Sequence, residues 1–237
     1  MDPAEFLLGI TSTVAFFISL FVGVEIALKY REYRVRAFIF IGIASIIIAE
    51  PWWPQLINFY LELLNIGGLS KGQGYIIGMI GIPIGIFAWL FAFTDLIYKE
   101  KQRLILIISG VSGIFYDIFL IIFLYIDPNL TGTTLGLNNS YIILGYLFAC
   151  SITILTTGLI FSRESIKSED PIIKLKGKLV AIGFVSYIIA GMIEAVFILN
   201  IYAFFIDRFV LIFSAISFYG GFKLPSWMER LFLKRHS

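Results

Sequence analysis

Charged residues, histidine and cysteine are scarce in this chain. Of its 237 residues only 14% are charged, and there is one histidine and one cysteine. Soluble globular domains carry about 25% charged residues, so this composition excludes a soluble enzyme, a nucleic-acid-binding module and a disordered chain. A single cysteine also excludes a disulfide scaffold.

The usual signatures of catalysis are missing as well. The chain contains no GxxxxGK[ST] phosphate loop, no HExxH motif, no Cys/His metal set and no GxSxG elbow. We therefore predict that the protein is not an enzyme and holds no metal. An enzyme working inside a membrane with carboxylates alone is the remaining alternative.

Apolar residues, by contrast, make up 59% of the chain and occur in long runs. A membrane-spanning helix needs about 20 mostly apolar residues, and seven stretches qualify. We predict an all-α polytopic membrane protein, a single domain over 1–237 that forms a seven-transmembrane-helix bundle with a short C-terminal interfacial helix at about 226–235. The predicted spans are 6–28, 37–64, 75–98, 104–126, 141–161, 179–199 and 203–222.

Basic residues predict the orientation of the bundle. Of the 18 lysines and arginines, 16 follow spans one, three, five and seven, and thus fall on one side. By the positive-inside rule, the N-terminus lies outside and the C-terminus lies in the cytoplasm. We expect the lipid bilayer as a partner and a cytoplasmic partner at the basic loops 29–36 and 163–178.

Four ionisable residues lie deep inside predicted spans. Measured from the basic residue at the cytoplasmic end of each span, Glu50 and Asp117 are 14 residues away, Arg208 is 15 and Glu194 is 16. At 1.5 Å per residue they share one depth, roughly 21–24 Å from the inner edge. Asp207 precedes Arg208 and is expected to point about 100° away from it around the helix.

An arginine at that depth is tolerable when it faces carboxylates. We predict that Arg208 pairs with one or more of the three acids on other helices, in a polar pocket open to the outside that binds a small ligand or a proton. The alternative is a buried ion-pair network that fixes helix packing and binds nothing.

Prolines interrupt the second span beside this layer. Pro51 and Pro54 lack a backbone N–H and predict a break in the helix that frees carbonyl groups. We place Trp52, Trp53 and Tyr116 with the predicted pocket, and Pro83 in the third span lies at a similar level.

Four strings carry a family likeness. The strings AEPWWP (49–54), AFTDLIYK (92–99), RESIKSEDPIIKLKGK (163–178) and LPSWMERLFLK (224–234) resemble a family of uncharacterised archaeal seven-span membrane proteins. The resemblance covers nearly the whole chain and implies the topology alone.

Two better-known groups share only this architecture. Microbial rhodopsins carry a Schiff-base lysine four residues after an acid in the last helix, but here Leu211 stands four residues after Asp207, which argues against retinal and leaves no predicted cofactor. The G-protein-coupled receptors share seven spans and an interfacial helix, although their DRY and NPxxY motifs are absent.

A weak repeat suggests a second architecture. IGIASIIIA (41–49) and IGFVSYIIA (182–190) match at a constant offset, which is typical of the 3+1+3 helix arrangement of SWEET-type transporters. We therefore predict a receptor-like, sensory membrane protein, with a small-solute transporter or channel as the alternative and a purely structural membrane protein as a third possibility.

Overall fold

The computed structural model describes residues 3–126, 141–196 and 201–233, and within these ranges the chain is mostly helical and contains no strand. Two short 3-10 turns, at Glu50–Trp52 and Lys99–Lys101, accompany the α-helices. The α-helices are α1 (Pro3–Tyr33), α2 (Ala37–Ile47), α3 (Trp53–Leu63), α4 (Lys71–Met79), α5 (Ile82–Leu96), α6 (Gln102–Ile126), α7 (Tyr141–Ile166), α8 (Pro171–Val196), α9 (Ile201–Phe222) and α10 (Ser226–Leu233).

These bounds confirm most of the predicted helical stretches. The second and third stretches are each divided in two, into α2 with α3 and α4 with α5. Helix α8 begins eight residues before the predicted Leu179, because Asp170 caps its first turn by accepting a hydrogen bond from Ile172 N–H at 2.7 Å and Pro171 suits the first helical position.

Within the described ranges, six helical stretches are long and apolar enough to cross a membrane. They correspond to predicted spans one to five and seven. The predicted sixth span runs into residues 197–200, which lie outside the description, so the count of seven remains a prediction. The six stretches are Glu5–Tyr33, Ala37–Leu63, Gly72–Leu96, Lys99–Ile126, Gly145–Ile166 and Phe205–Phe222.

The outward faces of α1 and α6 are apolar along most of their length. Phe17 and Phe21 on α1, and Ile108 and Ile114 on α6, are each more than half exposed. In water every Å² of this apolar surface would cost about 25 cal/mol, whereas lipid carries no such penalty. The exposed faces are compatible with a chain that sits in a bilayer.

The helices form a closed ring in chain order. Helix α1 packs against α2 and α9, and the remaining neighbours are α2 with α5, α5 with α6, α6 with α7, α7 with α8, and α8 with α9. The outer half-helices α3 and α4 pack against each other, and α3 also contacts α1.

Two glycines permit the tight crossing of α1 and α2. A Cβ placed on Gly42 would collide with the carbonyl oxygen of Gly23, and one on Gly23 would meet that of Gly42 at 2.8 Å. The two backbones therefore touch directly. Close approach through small residues is a common way for helices to associate in membranes.

One end of the ring collects charged side chains from several helices. Arg36 forms an ion pair with Asp95 at 2.9 Å, and Lys223 pairs with Glu25. The Glu25 carboxylate holds the pKa of Lys223 above its ordinary value. Helix α10 packs at the same end, against α8, through the buried side chain of Met228. The C-terminal helix predicted at 226–235 is thus confirmed over its described residues.

Candidate functional site

The predicted break in the second span is present and has a defined structure. Helix α2 ends at Ile47, and the 3-10 turn that follows bonds Trp52 N–H to the carbonyl of Ala49 at 3.2 Å. The carbonyl of Ile48 therefore lacks its ordinary helical donor. The hydroxyl of Tyr187, on α8, donates to that carbonyl at 3.1 Å instead. The break is thus tied to a helix on the far side of the ring.

A second break lies beside the first. Helix α4 ends at Met79 and α5 begins at Ile82, with Pro83 in its first turn. The backbone N–H of Gly81, just before α5, donates to Glu50 Oε1 at 2.8 Å. A carboxylate at a helix N-terminus interacts favourably with the helix dipole. We call this contact between Glu50 and Gly81, which links the two breaks, the Glu50 joint.

A glycine at position 81 makes room for the joint. A Cβ there would lie 2.8 Å from the carboxyl carbon of Glu50, so any other residue would force the carboxylate to shift. Glu50 and Gly81 therefore fit each other, because the glycine makes room for the carboxylate and the carboxylate satisfies the N–H at the start of α5.

The Glu50 carboxylate is 4% exposed, and its second oxygen, Oε2, has no hydrogen-bond partner among the described residues. Tyr116 lies within electrostatic range of Glu50 and of Asp117. The ring of Tyr116 stacks on that of Tyr146 with centroids 4.3 Å apart. The Tyr116 hydroxyl and Asp117 Oδ1 are also buried without a partner in the described part of the chain. We call Glu50, Tyr116 and Asp117 the acid–tyrosine cluster.

Arg208 has described partners that were not predicted from the sequence. Its guanidinium pairs with Asp207, the preceding residue, and its Nε–H donates to Ser12 Oγ on α1 at 3.0 Å. Arg208 and Asp207 are both fully buried. In the described residues no ion pair joins Arg208 to Glu50 or Asp117. We call Ser12, Asp207 and Arg208 the arginine cluster.

The pairing of Asp207 with Arg208 is compatible with the expected 100° angle between the two residues around the helix. The 100° angle separates the two Cβ directions, but the arginine side chain is long enough to bend back around the helix to its neighbour. The predicted contact between Arg208 and Glu194 is not described, because the side chain of Glu194 lies outside the described residues, although its backbone is part of α8.

The two predicted tryptophans take different places. Trp52 is buried and packs edge-on against Tyr187, with ring centroids 6.0 Å apart. Trp53 packs edge-on against Phe16 of α1 at 5.8 Å. Both indole N–H groups are buried without an acceptor in the described part of the chain.

A central cavity lies inside the ring, and sequence reasoning missed it. It is lined from α1, α2, the Trp52 turn, α5, α7, α8 and α9. The predicted site consists mainly of charged residues, whereas the cavity wall consists of small, branched aliphatic and aromatic side chains. The signal that could have found it is the recurrence of small residues, Ala44 with Ser45 and Ser214 with Ala215, on two helices that also carry core aromatics.

Metal binding has no support in the described residues, where no three Cys, His, Asp or Glu side chains come together as a metal site. Cys150 is buried and is not part of a disulfide. A comparison of the chain with protein-family models, with curated proteins and with solved structures finds no match.

Proposed function

We propose that this chain is a seven-helix, receptor-like protein of the cell membrane that responds to a proton or a small ligand at the Glu50 joint. Its N-terminus would lie outside and its C-terminus in the cytoplasm, as the basic residues predict. The observation that carries the proposal is the carboxylate of Glu50, which bridges two helix breaks through one oxygen and leaves the other buried without a described partner.

The joint can act as a switch because its hydrogen bond depends on the state of one carboxylate. Protonation of Glu50, or a ligand donor at Oε2, weakens the charge-assisted bond to Gly81 N–H. The half-helices α3 and α4 then change their packing against each other and against α1. A ligand shifts such an equilibrium only if it binds the two arrangements with different affinity. A ligand that donates a hydrogen bond to the buried Oε2 of Glu50 in one arrangement supplies that difference.

The conformational change would be transmitted to a partner at the charged end of the ring. Helices α1 and α2, joined by loop 29–36, and α7 and α8, joined by loop 163–178, all belong to the closed ring. A change in α2 or α8 therefore displaces these basic loops. A cytoplasmic partner with an acidic surface would read the displacement, with α10 as part of its docking surface.

The test uses the tryptophans beside the joint as reporters. In proteoliposomes, the fluorescence of Trp52 and Trp53 is followed while the outside pH is varied. We expect a sigmoidal change in the wild-type protein that is lost in Glu50→Gln, because glutamine keeps the acceptor for Gly81 N–H but does not titrate. The matched control Glu62→Gln, an exposed acid on α3, should keep the change. A wild-type response that persists in Glu50→Gln would exclude Glu50 as the sensor.

The alternative function is a small-solute transporter, and one observation favours it. Two adjacent discontinuous helices, with a carboxylate at their breaks, are the arrangement that many secondary transporters use at the substrate site. Solute or proton flux into proteoliposomes that stops in Glu50→Gln and continues in Glu62→Gln would support transport. A fluorescence response without flux would support the receptor.

A further inference from the structure

The charged end of the ring also holds three lysines that come from three helices. Lys29 lies near the end of α1, Lys176 lies in the second turn of α8, and Lys223 directly follows α9. We call these three residues the lysine cluster. Like charges repel, so ammonium groups gathered at one place favour a negatively charged partner.

Helix packing brings the three lysines together. A Cβ added to Gly221 of α9 would meet the backbone carbonyl oxygen of Lys176 at 3.1 Å, so the start of α8 packs directly on the end of α9. Lys223 follows two residues later and forms its ion pair with Glu25. Glu25 lies about one helical turn before Lys29 on α1. The charges of Lys176 and Lys223 are both close enough to repel that of Lys29.

The acids at this place do not balance the lysine cluster. Glu25 pairs with Lys223, and Glu32 lies within electrostatic range of Lys29. Lys29 and Lys176 are partly buried, and neither makes an ion pair with a described residue. Three lysines and two glutamates leave a surplus of one positive charge, which matches the single negative charge of a phosphodiester.

An exposed apolar surface leads directly to the lysine cluster. On α1, Phe17, Phe21 and Leu28 are exposed and lie within about 40° of one another around the helix. The ring of Phe21 packs on that of Tyr219 of α9, with centroids 5.8 Å apart. Lys223 Nζ lies 5.7 Å from the centre of the same tyrosine ring. We call this surface, where α1 meets α9, the α1–α9 seam.

The α1–α9 seam is about as long as one leaflet of a bilayer is deep. From Phe17 to Leu28, α1 rises roughly 16 Å. Half of a hydrocarbon core of about 30 Å is about 15 Å. An acyl chain laid along the seam therefore extends from the lysine cluster toward the middle of the bilayer. A soluble phosphate would contact the lysines alone and gain nothing from the seam.

We propose that the lysine cluster binds the phosphate of an anionic phospholipid whose acyl chain lies along the α1–α9 seam. Lys29 and Lys176 donate hydrogen bonds to the phosphate oxygens, and Lys223 stays paired with Glu25, which holds α1 and α9 together at this place. Basic pockets between membrane helices bind the head groups of anionic lipids in this way. The site does not involve the Glu50 joint, so Glu50→Gln should leave lipid binding unchanged.

The first test measures the binding of dioleoylphosphatidylglycerol to the full-length protein in detergent by native mass spectrometry. Dioleoylphosphatidylcholine, which has the same acyl chains and no net charge, is the reference lipid. We expect the phosphatidylglycerol to bind at one site about 10-fold more tightly than the reference lipid does. Equal affinities for the two lipids would overturn the proposal.

Matched variants separate this site from the general positive charge of the same helices. Lys176→Gln should weaken phosphatidylglycerol binding about 5-fold. Its control Lys174→Gln removes an exposed lysine about 160° away around α8 and should bind as the wild type does. Lys29→Gln and Arg31→Gln form the same kind of pair on α1, and Lys176→Arg should keep the binding because it keeps the charge. Thermal unfolding shows that each variant is folded, and equal losses in a variant and its control would overturn the assignment.

Competitors decide between a lipid and a soluble phosphate. Inorganic phosphate and glycerophosphoglycerol, which is the head group without acyl chains, should displace the bound lipid at least about 10-fold less effectively than dioctanoylphosphatidylglycerol, because only the last buries apolar surface on the seam. Equally effective displacement by inorganic phosphate would show that the lysine cluster binds a soluble anion and would overturn the lipid assignment.

Discussion

Among the described residues, charged side chains are buried in two places, and the two places are built differently. In the arginine cluster, opposite charges on adjacent residues of α9 pair with each other, and a hydroxyl from α1 receives a further bond. In the Glu50 joint, a carboxylate meets only a backbone N–H from another helix and keeps one oxygen without a described partner. The first arrangement is suited to holding α9 against α1, and the second is suited to changing state.

The strongest test of this contrast removes Asp207, a charged partner of the buried guanidinium. Asp207→Ala leaves Arg208 charged in the interior, and breaking a buried ion pair from one side costs about 3–5 kcal/mol. We expect a loss of that size in the free energy of unfolding. It is measured by circular dichroism during titration with sodium dodecyl sulfate.

Its control is Glu164→Gln, which breaks the exposed pair with Lys167 at 2.9 Å and should leave the free energy of unfolding nearly unchanged. A loss below about 1 kcal/mol in Asp207→Ala would contradict a structural role for the arginine cluster.

A weaker test addresses the contact of this cluster with α1. Ser12→Ala removes the acceptor of the Arg208 Nε–H, and we expect a loss of about 1–3 kcal/mol in the same unfolding assay. Ser112→Ala serves as the control, because Ser112 is exposed and donates only to the carbonyl of Ser109 on its own helix. Equal effects in the two variants would mean that Ser12 does not tie α1 to α9.

The joint is best tested by a double-mutant cycle on its two residues, Glu50 and Gly81. Gly81→Ala crowds the Glu50 carboxylate and should cost about 1–3 kcal/mol, and Glu50→Ala should cost a similar amount by stranding the Gly81 N–H. In the double variant the methyl group occupies the space that the carboxylate vacated. We therefore expect Gly81→Ala to cost at least about 1 kcal/mol less in that background. Strictly additive losses would show that the two side chains do not share the space.

Hydropathy and proline positions were enough to predict the helical stretches and the break in the second span. Prolines lack the N–H that a continuing helix needs, so Pro51 and Pro54 specify a break whatever surrounds them. The depth rule also placed Glu50, Asp117 and Arg208 inside the helical stretches.

Side-chain pairing could not be predicted in the same way. Depth along a helix says nothing about which way a long side chain turns, and the pairing of Arg208 with its own neighbour Asp207 was not predicted. The central cavity depends on how small residues from α2 and α9 meet aromatic residues from α5 and α8, which no single stretch of sequence records. The role of the pocket as a ligand site remains a prediction.

The smallest expected effect concerns the exposed ion pair of Glu25 and Lys223, which serves as a reference for the two buried sites. Glu25 raises the pKa of Lys223, so the pair stabilises the fold at neutral pH and below. That contribution is lost as the pH rises through the raised pKa of Lys223, because the lysine becomes neutral in the folded protein. Both side chains are partly exposed, so solvent screening limits the pair to about 0.2–1 kcal/mol.

Glu25→Gln should reduce stability by that amount at pH 7 and leave it unchanged well above the pKa of Lys223. The control Glu169→Gln, an exposed acid with no ion pair in the described residues, should show no difference between the two pH values. A loss in Glu25→Gln that is equal at both pH values would show that Glu25 acts through packing rather than through the charge of Lys223.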